Sequence, residues 1–143
     1  MTKKYIIILC SLALLICFVL IGKKYFSLKL LQRPELREGI VKIEVYEGRY
    51  EILSRDPDLV LLPDSSVGLE LIKEIENSWR KDNVLKFHVD YVIGITYSDG
   101  SVDYVSVGES FISIKTMYTD GKGVYKQAKD LNGFIKSLLD NGL

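Results

Sequence analysis

The chain's only histidine, His88, stands two residues before Asp90. On an extended strand, positions i and i+2 point the same way, so imidazole and carboxylate are expected to share a face. Such a pair is raw material for a metal site or an acid–base dyad. Zinc asks for three or four protein ligands. The chain has no second histidine, and its cysteines, Cys10 and Cys17, both sit in an apolar run near the N-terminus. The expectation is a solvated strand face or a local His–carboxylate contact, with no metal and no catalytic residue.

Other candidates for chemistry thin out in the same way. Asp56 and Asp58 flank Pro57. They lack the alternating oxygen ligands and the closing glutamate of a calcium loop, and a turn accounts for them. The glycines at 100, 121 and 123 match neither a P-loop nor a dinucleotide fingerprint. The serines between 65 and 113 include no nucleophile elbow. No cofactor is expected, and the chain does not read as an enzyme.

The tyrosines remain. Tyrosine suits both sheets and protein interfaces. Tyr46, Tyr91 and Tyr104, with the acidic neighbours Glu44, Asp90 and Asp103, form the candidate partner surface, provided that they face outward. Half-buried sheet tyrosines with wet hydroxyls are the plainer alternative.

These residues must be held by a fold and carried to an address. Tyr5–Gly22 reads YIIILCSLALLICFVLIG, with Lys3-Lys4 before it and Lys23-Lys24 after it. A hydrocarbon core about 30 Å thick needs roughly 20 apolar helical residues, so residues 5–22 are expected to enter the lipid bilayer as a transmembrane helix. A cleaved signal fits less well, because the bulky Leu20 stands where a small residue is wanted before a cut after Gly22. Cys10 and Cys17 serve there as small apolar fillers, or as disulfide or lipidation sites.

The sequence thus divides into an N-terminal transmembrane anchor (1–22), a basic juxtamembrane linker (23–38) and a soluble α+β domain (39–143). Lysine and arginine counts alone favour a cytoplasmic domain. A short basic leader before an apolar run has the look of a signal anchor, which places the domain outside. The expected localisation is the cell membrane, single-pass, with an extracytoplasmic domain.

Formal net charge is zero, but residues 1–37 carry seven Lys/Arg and one acid, whereas residues 38–143 carry twelve and eighteen. The basic part suits anionic lipid. The acidic domain, at net −6, is repelled by nucleic acid, and no nucleic-acid partner is expected.

Within the domain, Val41, Ile43 and Val45 alternate with polar neighbours, the mark of a half-buried strand. Arg49–Ser54 reads as a second strand and Leu59–Leu62 as a short extended piece. Leu71, Ile72, Ile75 and Trp79 recur at helical spacing behind the N-cap candidates Asp64-Ser65-Ser66. Val84–Tyr97, Val102–Val107 and Phe111–Met117 read as a meander, with a hairpin turn at Ser98-Asp99-Gly100-Ser101. Val124–Lys126 is a short extended piece. Ala128, Leu131, Phe134, Ile135 and Leu138 mark a closing helix, with Gly142 as its C-cap. The order ββαβββα predicts a small antiparallel-sheet domain with its helices packed on one face.

This outline resembles small bacterial domains tethered by an N-terminal anchor. The expected function is a membrane-anchored, non-enzymatic domain that binds a protein partner, a basic one by charge, in a bacterial cell envelope. The alternative is an immunity or inhibitor protein that neutralises a cationic toxin or enzyme.

Overall fold

A computed structural model describes residues 11–22, 33–48, 55–81, 86–115 and 123–142. The chain divides into two compact units, Met1–Gln32 and Arg33–Leu143. In the first, helix α1 covers residues 11–22, with its side chains exposed all round. Among the described residues, no helix is long and apolar enough to cross a membrane. The remainder of the expected span, residues 5–10, and the flanking lysines lie outside the described residues, as does Arg49–Ser54.

The second unit is a mixed α+β fold built on one antiparallel sheet. Strand β1, Ile40–Glu47, buries Ile43 and Val45 as expected, but Val41, expected on the same face, is exposed. Val41 is the extra residue of a bulge, because Ile40 pairs with Tyr97 and Lys42 with Thr96. Strand β2, Leu59–Leu61, pairs back onto β1. A turn clamp helps set this return: the Asp58 carboxylate accepts from the Glu47 amide at 2.7 Å and from Arg55 at 2.8 Å.

Helix α2, Ser66–Glu76, starts at Ser65, whose hydroxyl oxygen accepts from the Gly68 amide. It stops sooner than the apolar spacing predicts. The Ser78 hydroxyl donates to the Glu74 carbonyl at 3.2 Å, and Asn77 serves as C-cap; both residue types compete with helix for backbone groups. Trp79 therefore does not continue the helical stripe. Trp79–Arg80 is strand β3, and Trp79 is 42% exposed.

Strand β4 runs Tyr91–Tyr97, shorter than the expected Val84–Tyr97. Residues 86–90 are irregular and 82–85 lie outside the described residues. Strands β5 (Val102–Val107) and β6 (Phe111–Lys115) complete the meander. Strand β7, Gly123–Lys126, pairs with β6 and with β3. Helix α3, Leu131–Asn141, is capped by Asp130 at its start and by Gly142, at φ 57°, at its end. Ala128 precedes it and is exposed.

The strand order is β2-β1-β4-β5-β6-β7-β3. The order in the second unit is thus ββαβββββα among the described residues: β2 is the piece read as extended at Leu59–Leu62, the expected strand Arg49–Ser54 lies outside the described residues, and β3 and β7 are additional. Neither is long enough to show a period, and each exists through pairing with distant chain.

The two-residue alternation sorts the side chains. Ile43, Val45, Tyr91, Ile93, Ile95, Tyr97, Val105, Val107, Ile112 and Ile114 form one cluster with Leu71 and Ile75 of α2 and Leu131 and Ile135 of α3. Leu36, from the stretch read as linker, joins that cluster. The opposite face carries Lys42, Glu44 and Tyr46 of β1, Val92 and Gly94 of β4, and Tyr104 and Ser106 of β5.

Replacing Ile75, which is fully buried, with Ala is expected to cost about 2–5 kcal/mol of unfolding free energy. Trp79→Ala, on the exposed β3, is expected to cost less. Urea denaturation of both variants measures the order, and the reverse order would refute this packing.

Candidate functional site

Two polar constellations sit at opposite ends of β4. The first is a cleft of about 600 Å³ at its start. Four parts of the chain wall it: Glu47-Gly48 at the end of β1, His88 to Tyr91 leading into β4, Glu109 in the β5–β6 turn, and Asn132 and Lys136 on α3. Residues 86–90 are pinned in several ways. The Asp90 amide donates to the Val107 carbonyl at 2.9 Å, and its carbonyl accepts from Gly48 at 2.6 Å. Phe87 rests on Phe111, with ring centroids 6.2 Å apart. Gly108 has no side chain because any Cβ there would collide with the His88 carbonyl and the Phe87 ring.

This pinning aims His88 and Asp90 into the cleft. His88 Nε2 lies 3.4 Å from Asp90 Oδ1, and Asn132 Nδ2 donates to Asp90 Oδ2 at 2.7 Å. The pair predicted from the i, i+2 spacing is therefore in contact, although on an irregular segment rather than within a strand. The imidazole is well exposed and Asp90 is half-buried. The described lining contains no serine, threonine or cysteine; its polar side chains are carboxylates, an imidazole, an amide, a phenol and an amine. Among the described residues, no three His, Cys, Asp or Glu side chains are grouped to hold a metal ion.

The second constellation closes the other end. The Arg37 guanidinium lies over the Tyr97 ring, 3.9 Å from its centroid. It also donates to Ser101 Oγ at 2.7 Å and lies 3.6 Å from Asp103 Oδ1 and 3.4 Å from Asp99. The Tyr97 hydroxyl donates to Asp103 Oδ2 at 2.9 Å. Asp103 is only 2% exposed. Hydrogen bonds from the Ser101 hydroxyl and amide, with Arg37 adding its charge, hold Asp99 below the usual carboxylate range. Burial and the bond to Asp103 push Tyr97 up to about 12.

The six residues expected to form one partner surface are split three ways. Tyr46, Glu44 and Tyr104 share the sheet face opposite α2 and α3. There the Tyr46 and Tyr104 rings flank Gly94, and Glu44 pairs with Lys42 at 3.0 Å. Tyr46 is buried, and that burial, with Glu44 nearby, raises its hydroxyl above the ordinary tyrosine range. Tyr91 and Asp103 point to the helix-covered face and are buried, so neither belongs to an outward surface. Asp90 lies in the cleft. The reason is the register: an even–odd shift along a strand reverses the face. Glu47, Glu109, Asn132 and Lys136 went unforeseen, since nothing local links them. Comparison with protein-family models, curated proteins and solved structures finds no match to the chain.

Because the folded protein holds the Tyr97 proton more tightly than the unfolded chain does, its contribution to stability is complete below about pH 10 and is lost as pH rises towards 12. The loss is expected to reach about 2–3 kcal/mol. Tyr97→Phe should remove this part of the alkaline decline, which denaturant titrations from pH 8 to 12 would measure. An identical decline in both proteins would sink the assignment.

Proposed function

We propose that the chain is a single-pass, membrane-tethered, non-enzymatic domain that binds a basic protein partner in a bacterial cell envelope, with the domain on the extracytoplasmic side. The observation that carries this reading is the segregation of polarity and charge along the chain. Helix α1 exposes apolar side chains on every side, Phe18 at 80% and Leu14 at 68%. A helix apolar all round is at home only inside protein or lipid. Its residues 11–22 extend about 18 Å, and the uncharged sequence from Tyr5 lengthens the run towards the roughly 30 Å of a bilayer core. Basic residues bracket that run, and the remainder of the chain is acidic.

The acidic surplus supports a cationic partner, because opposite net charges speed encounter. We read the cleft as a binding site because its described carboxylates, Glu47, Asp90 and Glu109, suit a cationic partner by charge. The same charge also fits an immunity or inhibitor protein that masks a cationic toxin or enzyme.

Two measurements test this reading. The full-length chain should stay with membranes through carbonate washing, and recovery of a soluble form starting near Lys23 would defeat the anchor. A partner captured from detergent-solubilised membranes should be basic, with an association rate that falls as salt rises from about 50 to 500 mM. An acidic partner, or a salt-indifferent rate, would defeat the electrostatic reading.

A further inference from the structure

We infer that the cleft at the start of β4 is a receptor for a single basic side chain, an arginine of the partner protein. This rests on the preceding reading that the partner is a basic protein. The cleft, at about 600 Å³, falls within the roughly 300–1,000 Å³ of ligand sites. It opens to solvent.

Its chemistry is directional. Glu47, Asp90 and Glu109 reach the lining from three separate elements, and Lys136 is the one lysine or arginine among the described lining residues. Asp90 is already oriented: Asn132 fixes one carboxylate oxygen and His88 lies against the other. Each oxygen retains a further acceptor position. Among the described residues, neither the Glu47 nor the Glu109 side chain makes an ion pair. A guanidinium presents five donors in a planar fork and is less strongly hydrated than an ammonium. It can engage Asp90, while Glu47 and Glu109 add negative charge elsewhere on the lining. Among the described lining residues, an anionic group entering the same space would meet three carboxylates against one lysine.

His88 supplies the readout, because it is the chain's only histidine. Full-length protein in detergent micelles, labelled for imidazole NMR, would be titrated with Nα-acetyl-argininamide, and in parallel with Nα-acetylglutamate and sodium chloride. The arginine probe is expected to shift the His88 ring signals saturably, whereas the other two are not. Asp90→Asn should weaken the probe about tenfold or more, the effect of losing one charge-assisted contact. Glu109→Gln, on an exposed turn, should weaken it in the same direction without threatening the fold. Lys136→Gln should strengthen it severalfold by removing the competing cation. No saturable shift, an equal response to acetylglutamate, unchanged binding in both carboxylate variants, or weaker binding in Lys136→Gln would each overturn the inference. A captured basic partner whose affinity ignores Asp90→Asn would overturn it while leaving the proposed function standing. An acidic captured partner would instead remove the proposed function, and the arginine titration would still decide the cleft.

Discussion

Strand β4 is hidden from water on both faces. Val92, Ile93 and Ile95 have no exposed surface, and Gly94 is buried between them. A backbone in that position must find all of its hydrogen bonds in neighbouring strands, because an unmet buried amide or carbonyl costs roughly 1–3 kcal/mol. The antiparallel ladders to β1 and β5 supply them. Those two ladders fix which residues face the helices. They therefore determine where α2 and α3 can lie, and what emerges at the two ends of the central strand.

At one end the hairpin after Tyr97 brings Asp103 onto the helix-covered face, in the same alternation as Val105 and Val107. A carboxylate there needs a partner, since a buried charge left alone is strongly unfavourable. Arg37 and the Tyr97 hydroxyl meet that need. Arg37 and the buried Leu36 thereby fasten the residues just after 32 to the domain. At the other end, where the ladder stops, residues 86–90 leave regular structure and their polar groups face an open cleft. One end of the central strand uses its charges for cohesion, and the other leaves them accessible.

Much of this was legible where the signal is local. The apolar alternation of β1, β5 and β6, the Asp99-Gly100 turn, and the closing helix with its Gly142 cap each follow from residues within a few positions of one another. The apolar spacing 71, 75, 79 misled for a local reason as well: Asn77 and Ser78 end α2, and Trp79 is recruited by β7 across more than forty residues of chain. In the Arg37–Tyr97–Asp103 group, the shared face of Asp103 with Val105 and Val107 was a sign of burial that the outward reading of Asp103 overlooked. That its partner is Arg37 depends on tertiary structure. The cleft was illegible for the same reason: Glu47, Asp90, Glu109 and Lys136 converge only once β1, β4, the β5–β6 turn and α3 are assembled.

The fate of the tyrosines follows from the same two-residue period. Tyr46 and Tyr104 are on one face and Tyr91 and Tyr97 on the other, so no single partner contact can use all four. Tyr91 and Tyr97 are nearly inaccessible and act as amphipathic core residues, with hydroxyls near the two polar ends of β4. Tyr46 is committed to packing beside Gly94. Acidic charge is distributed differently: Glu47, Asp90, Asp99 and Glu109 stand at strand ends or in turns, whereas Glu70, Glu74 and Glu76 lie on α2. If the proposed basic partner binds, the acidic surface as a whole would steer it, and short-range contact is proposed where carboxylates from separate elements line a cavity. The start of β4 is such a place: its carboxylates converge from separate elements around a cavity, and one of them is already held in position.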